Sequence, residues 1–297
     1  MALETINRCI VCSSENITDF LTCTDHFVSH ESFIISQCDN CGFRFTNPRP
    51  LVADIGPYYN SEKYISHTKT SAGLINRLFH FSRIYTLRYK KRIVKKYSPG
   101  KRIMDYGCGT GEFLHTMKRD GWMCSGIEPN AVAREAANSI NEFKISDESA
   151  ISQIPEGSLD AVSLWHVLEH IYPLEERLAS FHKILTKKGT LFVALPNIDS
   201  YDAKKYNQYW AAWDLPRHIY HFNPSSIKSL MKRSGFDLIT TKPMILDAFY
   251  ISMLSEKYKN GNPKNFTALL NGLKSNYSAF MKDKNYSSLI YIFKKSD

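Results

Sequence analysis

The segment Lys101-Arg102-Ile103-Met104-Asp105-Tyr106-Gly107-Cys108-Gly109-Thr110-Gly111-Glu112 constrains this chain most, because a buried-strand pattern runs straight into glycines at every second position. Glycine turns sharply and lets a backbone approach a bound molecule with no side chain between them. Phe113, Leu114 and Met117 then open a helical pattern, whose amino end carries partial positive charge. The turn is therefore a candidate ligand cradle, with an ordinary structural turn as the alternative. A dinucleotide fingerprint needs its third glycine where this chain has Glu112, so that ligand class is disfavoured.

The neighbouring segments decide. Trp122 to Ile127 reads as a second strand ending in Glu128, where a ribose diol lies in a doubly wound sheet; a helix-capping acid is the alternative. Ser158 to Trp165 reads as the fourth strand, followed by His166-Val167-Leu168-Glu169-His170. Turn, acid and block together resemble class I S-adenosylmethionine (SAM) methyltransferases over residues 100–240. The resemblance implies SAM as cofactor, with Asp105 facing its methionyl part and Glu128 accepting from both ribose hydroxyls. It also implies a lining of Tyr106, Gly107, Cys108, Gly109 and Gly111, with Trp165 and His166 at the fourth strand's tip. Asp147, after a weak strand at 143–145, is the expected contact to the adenine amino group.

Cysteine spacing marks a separate unit. Cys9-Ile10-Val11-Cys12 and Cys38-Asp39-Asn40-Cys41 are two Cys-x-x-Cys knuckles with 25 residues between them. Each can give two thiolates to one ion, and two complete the tetrahedral sulfur shell that zinc favours in closed structural sites. Cys9, Cys12, Cys38 and Cys41 are thus the expected ligands of a structural Zn2+. A redox pair needs one knuckle only, and disulfides are unexpected in a cytoplasmic chain. Cys23 and His26 are then surplus ligands, and Cys108 and Cys124 fall in the cofactor loop and a strand.

Strand patterns at 102–106, 123–127, 160–165 and 190–195 alternate with helical patterns from 112, 130, 174 and 224. Such alternation predicts a parallel sheet with helices on both faces and the ligand at the carboxyl ends of the strands. Tyr286 to Phe293 reads as a last strand. The expected fold class is α/β: a doubly wound, Rossmann-like methyltransferase sheet with a small amino-terminal zinc-binding unit. The expected divisions are a zinc unit at 1–50, a helical connector and candidate cofactor lid at 51–99, a SAM-binding core at 100–245 with a substrate loop at 196–223, and an extension at 246–297 that completes the sheet. Tyr58, Tyr64 and His67 are the candidate lid residues, with packing aromatics as the alternative.

No apolar run approaches the roughly 20 residues a membrane span needs, and no basic, apolar leader opens the chain, so a cytoplasmic protein is expected; peripheral membrane contact stays open. The net charge of +9 gathers between residues 83 and 102, where Arg83, Arg88, Lys90, Lys91, Arg92, Lys95, Lys96, Lys101 and Arg102 meet no acid. Leu74, Leu78, Phe81, Ile84, Tyr85, Ile93 and Val94 recur at helical spacing, which predicts an amphipathic helix with a basic outer face. A solvated face, a phosphate-bearing substrate, an anionic membrane and RNA all fit it, because Coulomb attraction does not identify the polyanion.

Methyl transfer from a sulfonium asks the protein to hold a nucleophile in line and, where needed, to remove a proton. Histidine suits the second task. His166 lies at a strand tip; His170, one turn on, reads as structural. His218 and His221 lie in the segment from Trp213 to Phe222, after the fifth strand, where substrate loops are inserted. That segment resembles a block of sugar C-methyltransferases with an amino-terminal zinc unit, in which a Glu-His pair precedes an aromatic-Phe stretch. The resemblance puts His218 on the pair's histidine, as base or as substrate ligand, with a purely structural role as the alternative. Arg217 replaces the glutamate, which weakens proton removal from carbon and offers a fork for phosphate or carboxylate. Trp213 and Tyr220, beside Tyr209 and Trp210, either stack on a sugar or pack the core.

The reading is a SAM-dependent methyltransferase for a small or carrier-linked anionic substrate, a nucleotide sugar or surface-glycan precursor, with oxygen favoured over carbon as acceptor. An RNA methyltransferase is the enzymatic alternative, although His166-Val167-Leu168-Glu169 is not the Asn/Asp-Pro-Pro-aromatic block of base amino-group methylation. A SAM-fold binding module that uses its zinc unit for partner contacts is the non-enzymatic alternative, and the intact cradle argues against it.

Overall fold

The computed structural model describes residues 2–59, 74–262 and 264–296, apart from the side chains of 74–80. The amino-terminal region is built of short antiparallel strands: β1 (Leu3–Glu4), β2 (Ile17–Thr24), β3 (Ser32–Cys38), β4 (Arg44–Thr46) and β5 (Arg49–Pro50). β1 pairs with β5, while β2, β3 and β4 form a meander. After the long helix α1 (Leu74–Tyr97), strands and helices alternate: β6 (Arg102–Tyr106), α2 (Glu112–Lys118), β7 (Met123–Ile127), α3 (Ala131–Ile140), β8 (Ile145–Ser146), β9 (Leu159–Trp165), α4 (Leu174–Ile184) and β10 (Leu185–Pro196). The chain continues through α5 (Tyr201–Tyr206), β11 (Tyr220–His221), α6 (Pro224–Arg233), β12 (Phe236–Pro243), α7 (Asp247–Asn260), α8 (Asn265–Met281) and β13 (Ser288–Lys295).

Seven strands form the central sheet in the order β12-β13-β10-β9-β6-β7-β8. All pairings are parallel except those of β13, which runs antiparallel between β10 and β12. Alternation along the strands sorts side chains to two faces: Met104, Val162 and Leu164 join a core with Leu178, Phe181 and Ile227, whereas Ile103 and Ala161 join Ile93, Val94, Phe113 and Leu114. A sheet covered on both faces explains why its strands read as apolar runs. From β6 the chain winds one way to β7 and β8 and the other way to β9 and β10. That reversal opens a crevice outside the carboxyl ends of β6 and β9.

Local chemistry sets the helix starts. Asn223 and Ser226 form a reciprocal capping box at α6, with Pro224 in its first turn, and the Asn130 side chain caps α3. The basic helix differs from its expected form. Ile93 and Val94 are buried, but Phe81 and Tyr85 are largely exposed, so the apolar stripe is only partly covered. Its basic face is paired as well: Arg83 with Glu112, and Lys91 and Lys95 with Asp120. β11 joins the amino-terminal meander by pairing with β4, which ties the loop after β10 to the cysteine region.

Candidate active site

The glycine turn lies at the reversal. Gly107, Gly109 and Gly111 all have positive φ, the left-handed region that glycine adopts without strain. Their surroundings differ. A Cβ on Gly107 would lie 2.6 Å from Val167 Cγ2, and one on Gly111 would lie 2.5 Å from Asn141 Nδ2, whereas one on Gly109 would meet nothing within 4 Å. Gly107 and Gly111 therefore permit close packing, and Gly109 faces open space. Glu128 shapes the turn, accepting from Gly109 N at 2.8 Å and Asn130 N at 2.9 Å. Burial pushes its carboxyl up, against the pull of those two N–H donors. Asp105 accepts from Ser163 Oγ at 2.6 Å and is raised to about 7 by burial. Open space over Gly109, flanked by two buried carboxylates that keep free lone pairs, fits a ligand with a diol at one end and a cation at the other.

The other expected lining residues are spread around this turn. Tyr106 packs its ring edge-on against Phe181 and donates to Glu148, so its side chain belongs to the core. Cys108 is half-buried against Gly126. Asp147 is exposed at the end of β8 and caps the following turn by accepting from Ser149 N. Trp165 stands edge-on to Phe113, and the Lys90 ammonium sits 4.7 Å from its ring centroid.

Lys90, within the basic stretch left open between a solvated face and an anion-binding one, is attracted by the carboxylates of Asp105 and Asp247, and burial lowers its pKa against that attraction. Asp247 lies 3.1 Å from His166 Nε2, and His166 Nδ1 lies 3.6 Å from Glu169 Oε1. Burial disfavours the His166 cation, but Asp247 and Glu169 outweigh it and raise the imidazole to about 9. His166 has φ 60°, a conformation in which a non-glycine residue is strained.

Beyond Glu169 the structure gathers two further imidazoles. His170, read as structural, packs edge-on to His218 with ring centroids 4.6 Å apart. His170 Nδ1 donates to Arg217 O and His218 Nδ1 donates to Ala212 O, both at 2.9 Å. A carbonyl can only accept, so each ring carries its proton on Nδ1 and keeps a lone pair on Nε2. Burial and the neighbouring His218 pull His170 down to about 4. Ligand atoms of Glu169, His170 and His218 all lie within 4.8 Å of one another. Glu169 and His170 are adjacent in the His-Val-Leu-Glu-His block, so that motif carried a readable signal; Lys90 and Asp247 carried none.

The expected substrate contacts need correction. Arg217 is 2% exposed and its fork is already filled: Nη2 donates to Asp25 Oδ1 at 2.9 Å and Asp214 Oδ1 at 2.7 Å, and Nη1 donates to Tyr58 O at 3.0 Å. It clamps the loop rather than meeting an anion. Trp213 and Tyr220 are buried too, with Trp213 Nε1 donating to Asn207 O and Arg49 donating to Tyr220 Oη. Tyr58 packs against Phe33 and donates to Glu31, so it is a core residue; Tyr64 and His67 lie outside the described residues.

The knuckle cysteines converge: Cys9 and Cys41 sulfurs are 3.6 Å apart, Cys12 and Cys38 sulfurs 3.5 Å, and all four lie within 4.8 Å of one another. Sulfurs each about 2.3 Å from a tetrahedral centre stand roughly 3.8 Å apart, so the set fits a zinc ion.

Comparison with known proteins adds to this geometry. A family model described as a methyltransferase domain matches residues 79–241, more than half of the 297 residues. The chain is 28% identical over 190 residues to a ubiquinone biosynthesis O-methyltransferase of Nitrosococcus oceani, covering 59% of this chain and 78% of that protein. The counterpart from Cupriavidus pinatubonensis is 25% identical over 159 residues, covering 49% of this chain and 64%, under two thirds, of the relative. Magnesium protoporphyrin IX methyltransferase from Synechocystis PCC 6803 with bound SAH shares the fold, with a TM-score of 0.51 at 13% identity over 80% of this chain and 97% of that one. With the family model, the seven-stranded sheet and the cradle in agreement, the chain belongs to the methyltransferase-domain family.

Proposed function

We propose that this enzyme methylates a hydroxyl group of a small or carrier-linked anionic acceptor, with nucleotide sugars and surface-glycan precursors as the class to test first. The observation that carries this reading is the imidazole and carboxylate group at the carboxyl end of β9, linked through Asp247 and Lys90 to Asp105 in the cradle. Bound SAM supplies an electrophilic methyl group. In this reading Glu128 accepts from the ribose hydroxyls, Asp105 faces the methionyl ammonium, and the Gly109 backbone leaves room for the cofactor. His218, with Nε2 free, takes the acceptor's proton, and Glu169 stabilises the imidazolium that results. His166, held between Asp247 and Glu169, positions this pair at the strand tip.

The names of the Nitrosococcus and Cupriavidus relatives support oxygen as the acceptor atom. An anionic acceptor is supported by Arg88, Arg92, Lys96 and Lys101, which have no carboxylate partner among the described residues. We infer further that Cys9, Cys12, Cys38 and Cys41 hold one structural Zn2+, since four thiolates leave no open position for a catalytic water. The decisive experiment supplies methyl-labelled SAM with fractionated extract, separating nucleotide sugars, lipid-linked material and RNA. Label in alkali-stable ether linkages of the first two fractions is expected; label confined to RNA would overturn the reading.

A further inference from the structure

We propose that Glu169, His170 and His218 form a second metal site, which binds a first-row divalent transition ion and leaves coordination positions open for an acceptor oxygen. Glu169 is 1% exposed, and neither of its carboxylate oxygens accepts a hydrogen bond among the described residues. The His166 cation stands 3.6 Å from Oε1, but a buried carboxylate is costly while its oxygens accept no hydrogen bond. The nearest nitrogens, His166 Nδ1 at 3.6 Å and His218 Nε2 at 3.9 Å, are too far for hydrogen bonds. The three proposed ligand atoms lie within 4.8 Å of one another, and the His218 Nε2 to Glu169 Oε1 separation of 3.9 Å is a few tenths beyond the roughly 3.0 to 3.6 Å between ligand atoms about 2.1 Å from one cation.

The imidazoles are prepared in the way metal ligands are. Each donates Nδ1–H to a backbone carbonyl, Arg217 O for His170 and Ala212 O for His218, which fixes the tautomer with Nε2 as lone-pair donor. The Arg217 clamp to Asp25 and Asp214 holds the segment that supplies both His218 and one of those carbonyls. A cavity of about 10 Å³ lies against Glu169, Trp210, His218 and His221, room for about one water-sized sphere. Two imidazole nitrogens with one carboxylate suit Mn2+, Co2+ or Zn2+ better than Mg2+ or Ca2+, which favour oxygen. Three protein ligands leave positions at which a hydroxyl oxygen would be acidified directly and lose its proton to solvent; with Nε2 on the ion, His218 would then serve as ligand in place of the base role proposed above. That last step rests on the hydroxyl-acceptor reading; ion binding does not.

The test uses the full chain with its thiolate cluster loaded with zinc. Co2+ or Mn2+ is titrated in by calorimetry, with Co2+ absorption and Mn2+ spin resonance as readouts, and SAH binding reports folding. One added ion per chain is expected, showing nitrogen and oxygen ligation. Glu169→Gln, which keeps shape and has no hydrogen bond to lose, should weaken it at least tenfold, and so should His218→Gln. The site is overturned if folded protein takes up no ion at millimolar concentration, if both variants bind as the wild type does, or if Co2+ shows thiolate charge transfer. Hydroxyl methylation that persists in ion-free enzyme would overturn the ion's role while leaving the acceptor reading intact. Ion binding with no hydroxyl methylation would do the reverse.

Discussion

At the scale of single residues, two glycines of one turn answer to different neighbours. Gly109→Ala would place its methyl in open space, so the fold should lose only the roughly 1–2 kcal/mol of a left-handed alanine while SAM affinity drops. Gly107→Ala drives a methyl into Val167 and should destabilise further, by about 1–3 kcal/mol beyond the backbone term. Thermal unfolding beside calorimetry separates the two, and unchanged SAM affinity in Gly109→Ala would remove that residue from the cradle. Glu128→Ala should weaken SAM by roughly ten- to 150-fold, the 1.5–3 kcal/mol expected of charge-assisted hydrogen bonds. His218→Gln should lower turnover by about a hundredfold or more while leaving SAM affinity nearly intact. Normal turnover in that variant would place the base on another group.

At the scale of elements, the stability of the site loop rests on ion pairs between distant segments. Arg217→Ala would leave Asp25 and Asp214 facing each other without a counterion, and should cost about 3–5 kcal/mol in denaturant unfolding. Arg217→Lys keeps the charge without the fork and should recover only part of that. A rise in the acceptor's Michaelis constant with unchanged stability would instead restore Arg217 as a substrate contact. The Arg102–Asp160 pair joins the start of β6 to β9, with Arg102 donating from Nε at 3.0 Å and from Nη2 at 2.9 Å. Those bonds hold the Asp160 carboxyl below its usual range. Its contribution is therefore complete above the unfolded value of about 3.9 and is lost as pH falls through the lower folded value. With Arg102 partly exposed, Asp160→Asn should cost about 1 kcal/mol at neutral pH. In urea titrations at falling pH the gap should close below about pH 3; a gap that widens in acid would contradict the pairing.

For the whole molecule, the cysteine region and the loop that carries His218 share one antiparallel sheet, because β11 pairs with β4 and β3 ends in Cys38. The double variant Cys38→Ser, Cys41→Ser should release one zinc per chain and lower the melting temperature. It should reduce turnover more than SAM affinity, since β6 and β7 hold the cradle independently of that sheet. Retained zinc, or unchanged melting, would count against the four-thiolate site.

What could be read from the sequence was local. The strands at 102–106 and 123–127 stand where their apolar runs ended in glycine or acid, and the knuckles announced four sulfurs through spacing alone. Such features depend on a few consecutive residues, whose periodicity and turn chemistry survive any arrangement of the rest. The helices α7 and α8 were not read: Phe266, Tyr277 and Phe280 are exposed, so the α8 pattern does not separate a buried face from a wet one. Arg217 shows the other limit. Its fork looked free in sequence because Asp25, the partner that fills it, lies 192 residues away. Glu169, His170 and His218 likewise acquire their joint chemistry only when the loop after β10 returns across the end of β9. Residue type sets what a side chain can donate or accept, and the fold decides which lone pairs are left over.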